Sequence, residues 1–192
     1  FLDLLKSGKL SPKPLLICSG GTTNRCAADG HLTLDLRVKY KKIKYDTDKS
    51  FVDIEGGVSM GALNNELARF AKSFPIGLSG QTGIGYILNG GISPLSRSKG
   101  LAIDHILKIK GIWGSSEAFE LNQPSINSTK EQKKQWKALC GAAPFFAIVT
   151  ELRLATQKLY PLALWEAELT PKQLAECIIQ VEKWPNSASF HW

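Results

Sequence analysis

The most informative stretch of this chain reads Leu15-Leu16-Ile17-Cys18-Ser19-Gly20-Gly21-Thr22-Thr23-Asn24. Its apolar run, Leu15 to Cys18, predicts a short strand buried on both faces. That strand breaks directly into small and hydroxyl-bearing residues. A Gly-Gly turn at a strand end lets successive backbone N–H groups face one concavity, with no Cβ to block an incoming anion. Ser19, Thr22 and Thr23 add hydroxyl groups to the same loop. By itself the motif fits a phosphate cradle and also a plain tight turn.

The flanking sequence alternates between strand and helix patterns. Residues 1–10 read as the end of a helix, and Ser11-Pro12-Lys13-Pro14 as a break. Downstream, Leu32-Thr33-Leu34-Asp35-Leu36 alternates as a half-buried strand. Residues 43–45 and 51–55 follow as strands, separated by the turn former Asp46-Thr47-Asp48 and closed by Gly56-Gly57. Residues 59–74 predict a helix: Ser59 is an N-cap, Leu63, Leu67, Phe70 and Ala71 recur on one face, and Pro75 and Gly77 end it. Residues 105–113 and 147–155 read as further strands, with a polar stretch at 122–129 and a helix at 130–139 between them. Beyond Pro161, residues 162–169 read as a strand, and Thr170-Pro171 caps a helix running to Trp184. This order predicts an α+β fold with a boundary near Lys158.

Composition narrows the function classes. The chain has 192 residues, 43% hydrophobic and 21% charged, an ordinary balance for a chain with a core of its own. No apolar run approaches the roughly 20 residues needed to cross a bilayer, so no membrane span is expected. Phe1-Leu2-Asp3-Leu4-Leu5-Lys6 does not read as a signal peptide, and a cytoplasmic location is expected. Lys+Arg 24 against Asp+Glu 17 gives a net charge of +7. The densest basic run, Arg37-Val38-Lys39-Tyr40-Lys41-Lys42-Ile43-Lys44, alternates with apolar residues. It reads as a solvated loop or edge strand and not as a nucleic-acid footprint. The same positive potential suits an anionic small-molecule cofactor. Cys18, Cys26, Cys140 and Cys177 form no C-x-x-C pair and lie apart from His31, His105 and His191. Four reduced, mostly buried thiols are expected, with neither a zinc site nor a disulfide framework.

Two more small-residue segments sit at strand ends. One is Ser79-Gly80-Gln81-Thr82-Gly83-Ile84-Gly85-Tyr86-Ile87-Leu88-Asn89-Gly90-Gly91; the other is Gly141-Ala142-Ala143 ahead of Phe145-Phe146-Ala147-Ile148-Val149-Thr150. Glycine at this density costs backbone entropy unless a ligand or another backbone comes close. Ile54-Glu55-Gly56-Gly57, Arg97, Gly100-Leu101-Ala102-Ile103-Asp104 and Trp136-Lys137-Ala138-Leu139-Cys140-Gly141 complete an ordered set. Over residues 15–154 the set resembles the FAD-binding domain of the vanillyl-alcohol oxidase/p-cresol methylhydroxylase (PCMH) flavoproteins. The resemblance implies a PCMH-type domain of two α+β subdomains over residues 1–158. It also implies the beginning of a substrate domain over 159–192, so the chain is expected to be a segment of a longer protein.

The resemblance further implies a set of cofactor contacts. Ser19, Gly20, Gly21, Thr22, Thr23 and Asn24 match the loop that cradles the FAD diphosphate. Gln81, Thr82, Gly83, Ile84 and Gly85 match the loop along the diphosphate and ribityl chain. Asn89, Gly90 and Gly91 match the turn beside the flavin, and Ile148, Val149 and Thr150 match the strand on the cofactor's other side. Many relatives carry a His, covalently bonded to the flavin, where this chain has Thr22, and no Cys lies between Leu78 and Gly91. Non-covalent FAD is therefore expected. Ala142, Ala143, Pro144 and Ala147 fall in a motif that is otherwise mostly glycine, and each added methyl narrows the room for a cofactor.

The expected activity is that of an FAD-dependent oxidoreductase. Hydride would pass to the flavin from a carbon of a small-molecule substrate that bears a hydroxyl or amine. The base is expected beyond Trp192, so no catalytic residue is assigned and the segment alone is expected to lack turnover. The competing expectation is a non-catalytic domain of the same fold that no longer admits FAD. His105 is read as structural, Arg97 and Lys99 as either phosphate-facing or solvent-facing, and Trp136, Phe145 and Phe146 as core. Nothing in the sequence bears on an oligomeric state.

Overall fold

The computed structural model describes residue 4, residues 7–9 and residues 13–191. The helix end read over residues 1–10 falls mostly outside them. Strand β1 (Leu15–Cys18) pairs in parallel with β2 (Leu32–Asp35), in a register that sets Cys18 beside Asp35. The main sheet is antiparallel. It is built from β3 (Ile43–Asp46), β4 (Phe51–Glu55), β6 (Ile106–Trp113), β7 (Ala118–Asn122) and β8 (Ala147–Ala155), in the order β3-β4-β8-β6-β7. A small ribbon of β5 (Lys72–Ser73) and β9 (Gln157–Lys158) stands apart from it.

The two faces of the main sheet differ because strand residues alternate. One face offers Val52, Ile54, Ile106, Ile109, Leu152 and Leu154, all fully buried. Against it pack α1 (Met60–Ala68), through Met60, Leu63 and Leu67, and α2 (Ile84–Leu88), through Ile84, Ile87 and Leu88. The helix α4 (Lys130–Phe146) adds Leu139 and Ala143 to the same core. The other face carries a ladder of charge. Lys110 bridges Glu151 at 2.8 Å and Glu120 at 3.6 Å, and Lys108 meets Glu120 at 3.0 Å. Arg153 grips Asp53 with two bonds of 2.7 and 2.8 Å and lies 3.8 Å over the Phe51 ring.

Local signals explain where the helices start. The Ser59 hydroxyl accepts from the Ala62 amide at the head of α1. Reciprocal capping boxes open α4 (Thr129 with Gln132) and α5 (Pro171–Val181, Thr170 with Gln173). Between α2 and β6 lie α3 (Ser96–Lys99) and a 3-10 turn, Ala102–His105. Among the described residues, no helix is long and apolar enough to cross a membrane.

Several expectations change. The helix read over 59–74 stops at Ala68, because Ala71 takes a left-handed φ of 52° and Lys72–Ser73 then pair with β9. β7 lies in residues to which the sequence assigned no element, just ahead of the polar stretch; it is an edge strand with alternate side chains in solvent. Residues 162–169 form no strand, since an apolar run alone supplies no ladder partner among the described residues. The helix read to Trp184 ends at Val181. Phe145 is 86% and Phe146 49% exposed, not core, for the chain kinks through Cys140, Gly141 and Ala142 before them; Trp136 is half-buried against the core. The four cysteines are free, but only Cys18 is buried, the others being intermediate.

Candidate cofactor site

A cleft of about 760 Å³ opens at the carboxyl ends of β1 and β2. It is lined by Gly20, Gly21 and Thr22 on one wall and by Ser79, Gly80, Gln81 and Thr82 on the other, with Arg37 and Ser59 completing it. The two loops touch. A Cβ added at Gly20 would overlap the amide nitrogen of Gly83 and stand 3.0 Å from the carbonyl carbon of Thr82. Only hydrogen fits there.

The second loop is held by α1. The amides of Met60 and Gly61, at the helix N-terminus, donate 2.8 Å bonds to the carbonyls of Thr82 and Gly80. These bonds satisfy helix-end donors that would otherwise lack partners, and they bring Ser79 to Thr82 over the head of the helix. The Ser59 cap consequently sits at the cleft's edge.

Within the first loop, Gly21 has a φ of 70°, a conformation that glycine adopts freely. Among the described residues, no hydrogen bond uses the amides of Gly20, Gly21 or Thr22. The Ser19 hydroxyl oxygen is buried and has no partner. Buried polar groups are seldom left unmatched; the Ser19 hydroxyl lies against Gly83, between the two loops and off the cleft lining, while the three successive free amides belong to residues that line the cleft and suit a ligand rich in acceptors. The diphosphate of FAD has that donor demand, and the cradle fits it.

Arg37 was not singled out as a site residue. Its Nε and Nη2 fork onto Asp35 at 2.9 and 2.7 Å, while its Nη1 abuts the position a Gly21 Cβ would take. Hydrogen bonding and charge hold the Asp35 carboxyl below its ordinary value and raise the guanidinium further. Its own run of residues 37–44 does not set it apart; the pairing of β1 with β2 is what brings it to the cleft.

The remaining sequence-derived positions are spread more widely. Thr23 caps a 3-10 turn, Asn24–Cys26, and neither it nor Asn24 lines the cleft. Gly83 and Ile84 begin α2, and a Cβ at Gly85 would meet nothing within 4 Å. The Asn89 side chain donates to the Gly85 carbonyl at 2.7 Å. The carbonyls of Gly90 and Gly91, at φ of 107° and 72°, accept from the amides of Ile103 and Ala102, which ties the turn after α2 to the 3-10 turn after α3. Ile148, Val149 and Thr150 lie inside β8 and do not line this cleft; Thr150 accepts from the Gly56 amide at 2.8 Å. His105 is structural: Nε2 lies 2.8 Å from the Lys99 carbonyl and 3.1 Å from the Gln157 amide nitrogen. Arg97 is exposed and does not line the cleft; it donates to the carbonyls of Val181 and Trp184, at and just beyond the end of α5.

Comparison with known proteins agrees with this geometry. The family described as FAD binding domain matches residues 4–122. (R)-6-Hydroxynicotine oxidase of Paenarthrobacter nicotinovorans is 33% identical over 68% of this chain and 27% of its own length. An FAD-linked oxidoreductase of Dictyostelium discoideum is 31% identical over 76% of this chain and 30% of its own. The crystal structure of 6-hydroxy-D-nicotine oxidase from Arthrobacter nicotinovorans superposes with a TM-score of 0.71 at 28% identity, covering 82% of this chain and 33% of that one. The BBE-like 1 protein of Physcomitrella patens shares the fold at a TM-score of 0.71 and 22% identity. The chain thus spans about a third of the length of these relatives. From the family match, the identity and the shared fold together, this chain belongs to the FAD binding domain family of PCMH-type FAD oxidoreductases, and its cofactor is FAD.

Proposed function

We propose that this chain is the cofactor-holding part of an FAD-dependent oxidoreductase that acts on a small hydroxyl- or amine-bearing substrate. The observation that carries the reading is the set of free amides at Gly20, Gly21 and Thr22 beside the orphaned Ser19 hydroxyl. In this reading the loops at 19–22 and 79–82 hold the diphosphate, and the open space beside Gly85 takes the extended part of the cofactor. When bound, FAD supplies a two-electron acceptor for hydride. The chain's own share is to fix the diphosphate with preorganised donors and to exclude side-chain bulk from the slot. The relatives' names, oxidases and FAD-linked oxidoreductases, support the reaction class. Residues 159–192 belong, in this reading, to the start of a substrate-facing domain.

Thr22 at the expected attachment position supports non-covalent binding. The test is direct. Purified protein should show visible flavin bands, and acid precipitation should release all the flavin into the supernatant. Flavin that stays with the pellet would refute the non-covalent assignment. Colourless protein that takes up no added FAD would instead favour a non-catalytic domain, the reading that Ala142, Ala143 and Pro144 leave open.

A further inference from the structure

The parallel pairing of β1 with β2 has an electrostatic result. Cys18 and Asp35 are register partners, so the residues just past each strand leave from the same edge. Gly20 and Gly21 follow one strand, Leu36 and Arg37 the other, and the two ends converge on one cleft. Antiparallel pairing would have sent them to opposite ends. The 3-10 turn Leu36–Val38 then aims the guanidinium: Asp35 caps that turn by accepting from the Arg37 amide at 2.9 Å, and the same carboxylate takes Nε and Nη2 of the side chain. Leu36 is buried and anchors the turn from below, against Gly56 and Gly57. One edge of the guanidinium is thereby occupied, and Nη1 is left at Gly21, on the wall of the cleft.

We propose that Arg37 is the cationic clamp on the cofactor's diphosphate, and that Asp35 is its positioning residue. The proposal rests on the reading that the diphosphate lies between residues 19–22 and 79–82. Backbone amides offer only partial charges; the guanidinium carries a formal cation, and its Nη1 edge, left over from the pair with Asp35, can donate a charge-assisted bond to a phosphate oxygen. The bond to Asp35 removes the rotamer freedom that a long cationic side chain would otherwise lose on binding. The same geometry explains why the lysines that follow Arg37 do not substitute for it: Lys39, Lys41 and Lys42 are not among the residues that line the cleft.

The test uses flavin-free protein titrated with FAD by fluorescence quenching, at low and at high salt, with thermal melts run alongside. Arg37→Gln should weaken FAD by about ten- to a hundredfold at low salt, as expected for loss of a charge-assisted bond. The gap should narrow at high salt, and Arg37→Lys should recover only part of the loss. Asp35→Asn should weaken FAD too, yet add nothing further in an Arg37→Gln background. Arg37→Gln protein that binds FAD as the wild type does at low salt would overturn the proposal while leaving the site reading intact. A loss that is equal at all salt concentrations would also overturn it. Wild-type protein that binds no FAD would sink the site reading itself, and this inference with it.

Discussion

Replacing Gly83 with alanine should force the two cofactor loops apart. Gly83 caps α2 with extended backbone, φ −99° and ψ −164°, so alanine brings no backbone strain of its own. The difficulty is space. Its Cβ would overlap the Ser19 hydroxyl and stand 2.5 Å from the Gly20 amide nitrogen and 2.6 Å from the Ser19 carbonyl carbon, where ordinary contact begins at 3.4 Å. Turning the serine side chain relieves only the first contact, because the other two are backbone. The loops must separate by roughly 1 Å, an overpacking that costs about 1–3 kcal/mol. In a chain of this size each kcal/mol lowers Tm by about 2–4 °C. A drop of roughly 2–12 °C is therefore expected in the flavin-free protein. If the same free energy is lost from cofactor binding, the Kd for FAD rises by about 5- to 150-fold. Melting curves with and without FAD, plus a binding titration, read both effects. The control for the flavin-free melt is Gly85→Ala, within α2, where no protein atom lies within 4 Å; its flavin-free Tm should hold or rise, since a helical glycine costs about 0.5–1 kcal/mol. A Gly83→Ala protein with wild-type Tm and wild-type FAD affinity would refute the packing of the two loops.

Three further outcomes are expected. Burial pushes the Asp53 carboxyl up, but the paired bonds from Arg153 outweigh it and leave the value below 3.8, so this pair stabilises the sheet above that pH and loses its contribution as pH falls through the lowered value. Asp53→Asn should cost about 1–2 kcal/mol near neutrality, and its melting temperature should start to approach the wild type's as pH falls below about 4 and meet it only beneath the lowered value. Burial, with Asp104 nearby, raises the Cys140 thiol to about 11, so at about pH 8 iodoacetamide followed by mass spectrometry should find Cys140 essentially unmodified. Thr129→Ala removes one half of the α4 capping box and should cost about 1 kcal/mol in a denaturant titration.

What could be read from the sequence is what neighbouring residues determine. Leu15 to Cys18 and the glycine turn after it are a local pattern, and so is the Ser59 cap; both appear where expected. The end of α1 is not local. Its last turn gives way because Lys72 and Ser73 find partners in Gln157 and Lys158, more than eighty positions away. β7 alternates faintly as Ala118-Phe119-Glu120-Leu121-Asn122, but an edge strand carries polar residues that mask the period. Residues 162–169 are mostly apolar and read as a strand after Pro161, yet form none, because pairing is a property of two segments. Arg37 is hidden for the same reason. Within its own run it looks like one more surface cation, and only the β1–β2 register places it beside Gly21.

That register has a consequence for how the protein tolerates change. The connection from Ala27 to His31 is exposed at every position, and a side chain at Gly30 would meet nothing within 4 Å. The spacing of the glycine turn from the arginine is fixed by ladder bonds and not by this connection, so the connection is free to drift in length. An inserted epitope or fluorophore there should leave flavin affinity alone. One extra residue between Asp35 and Arg37, by contrast, would rotate the guanidinium away from the cleft.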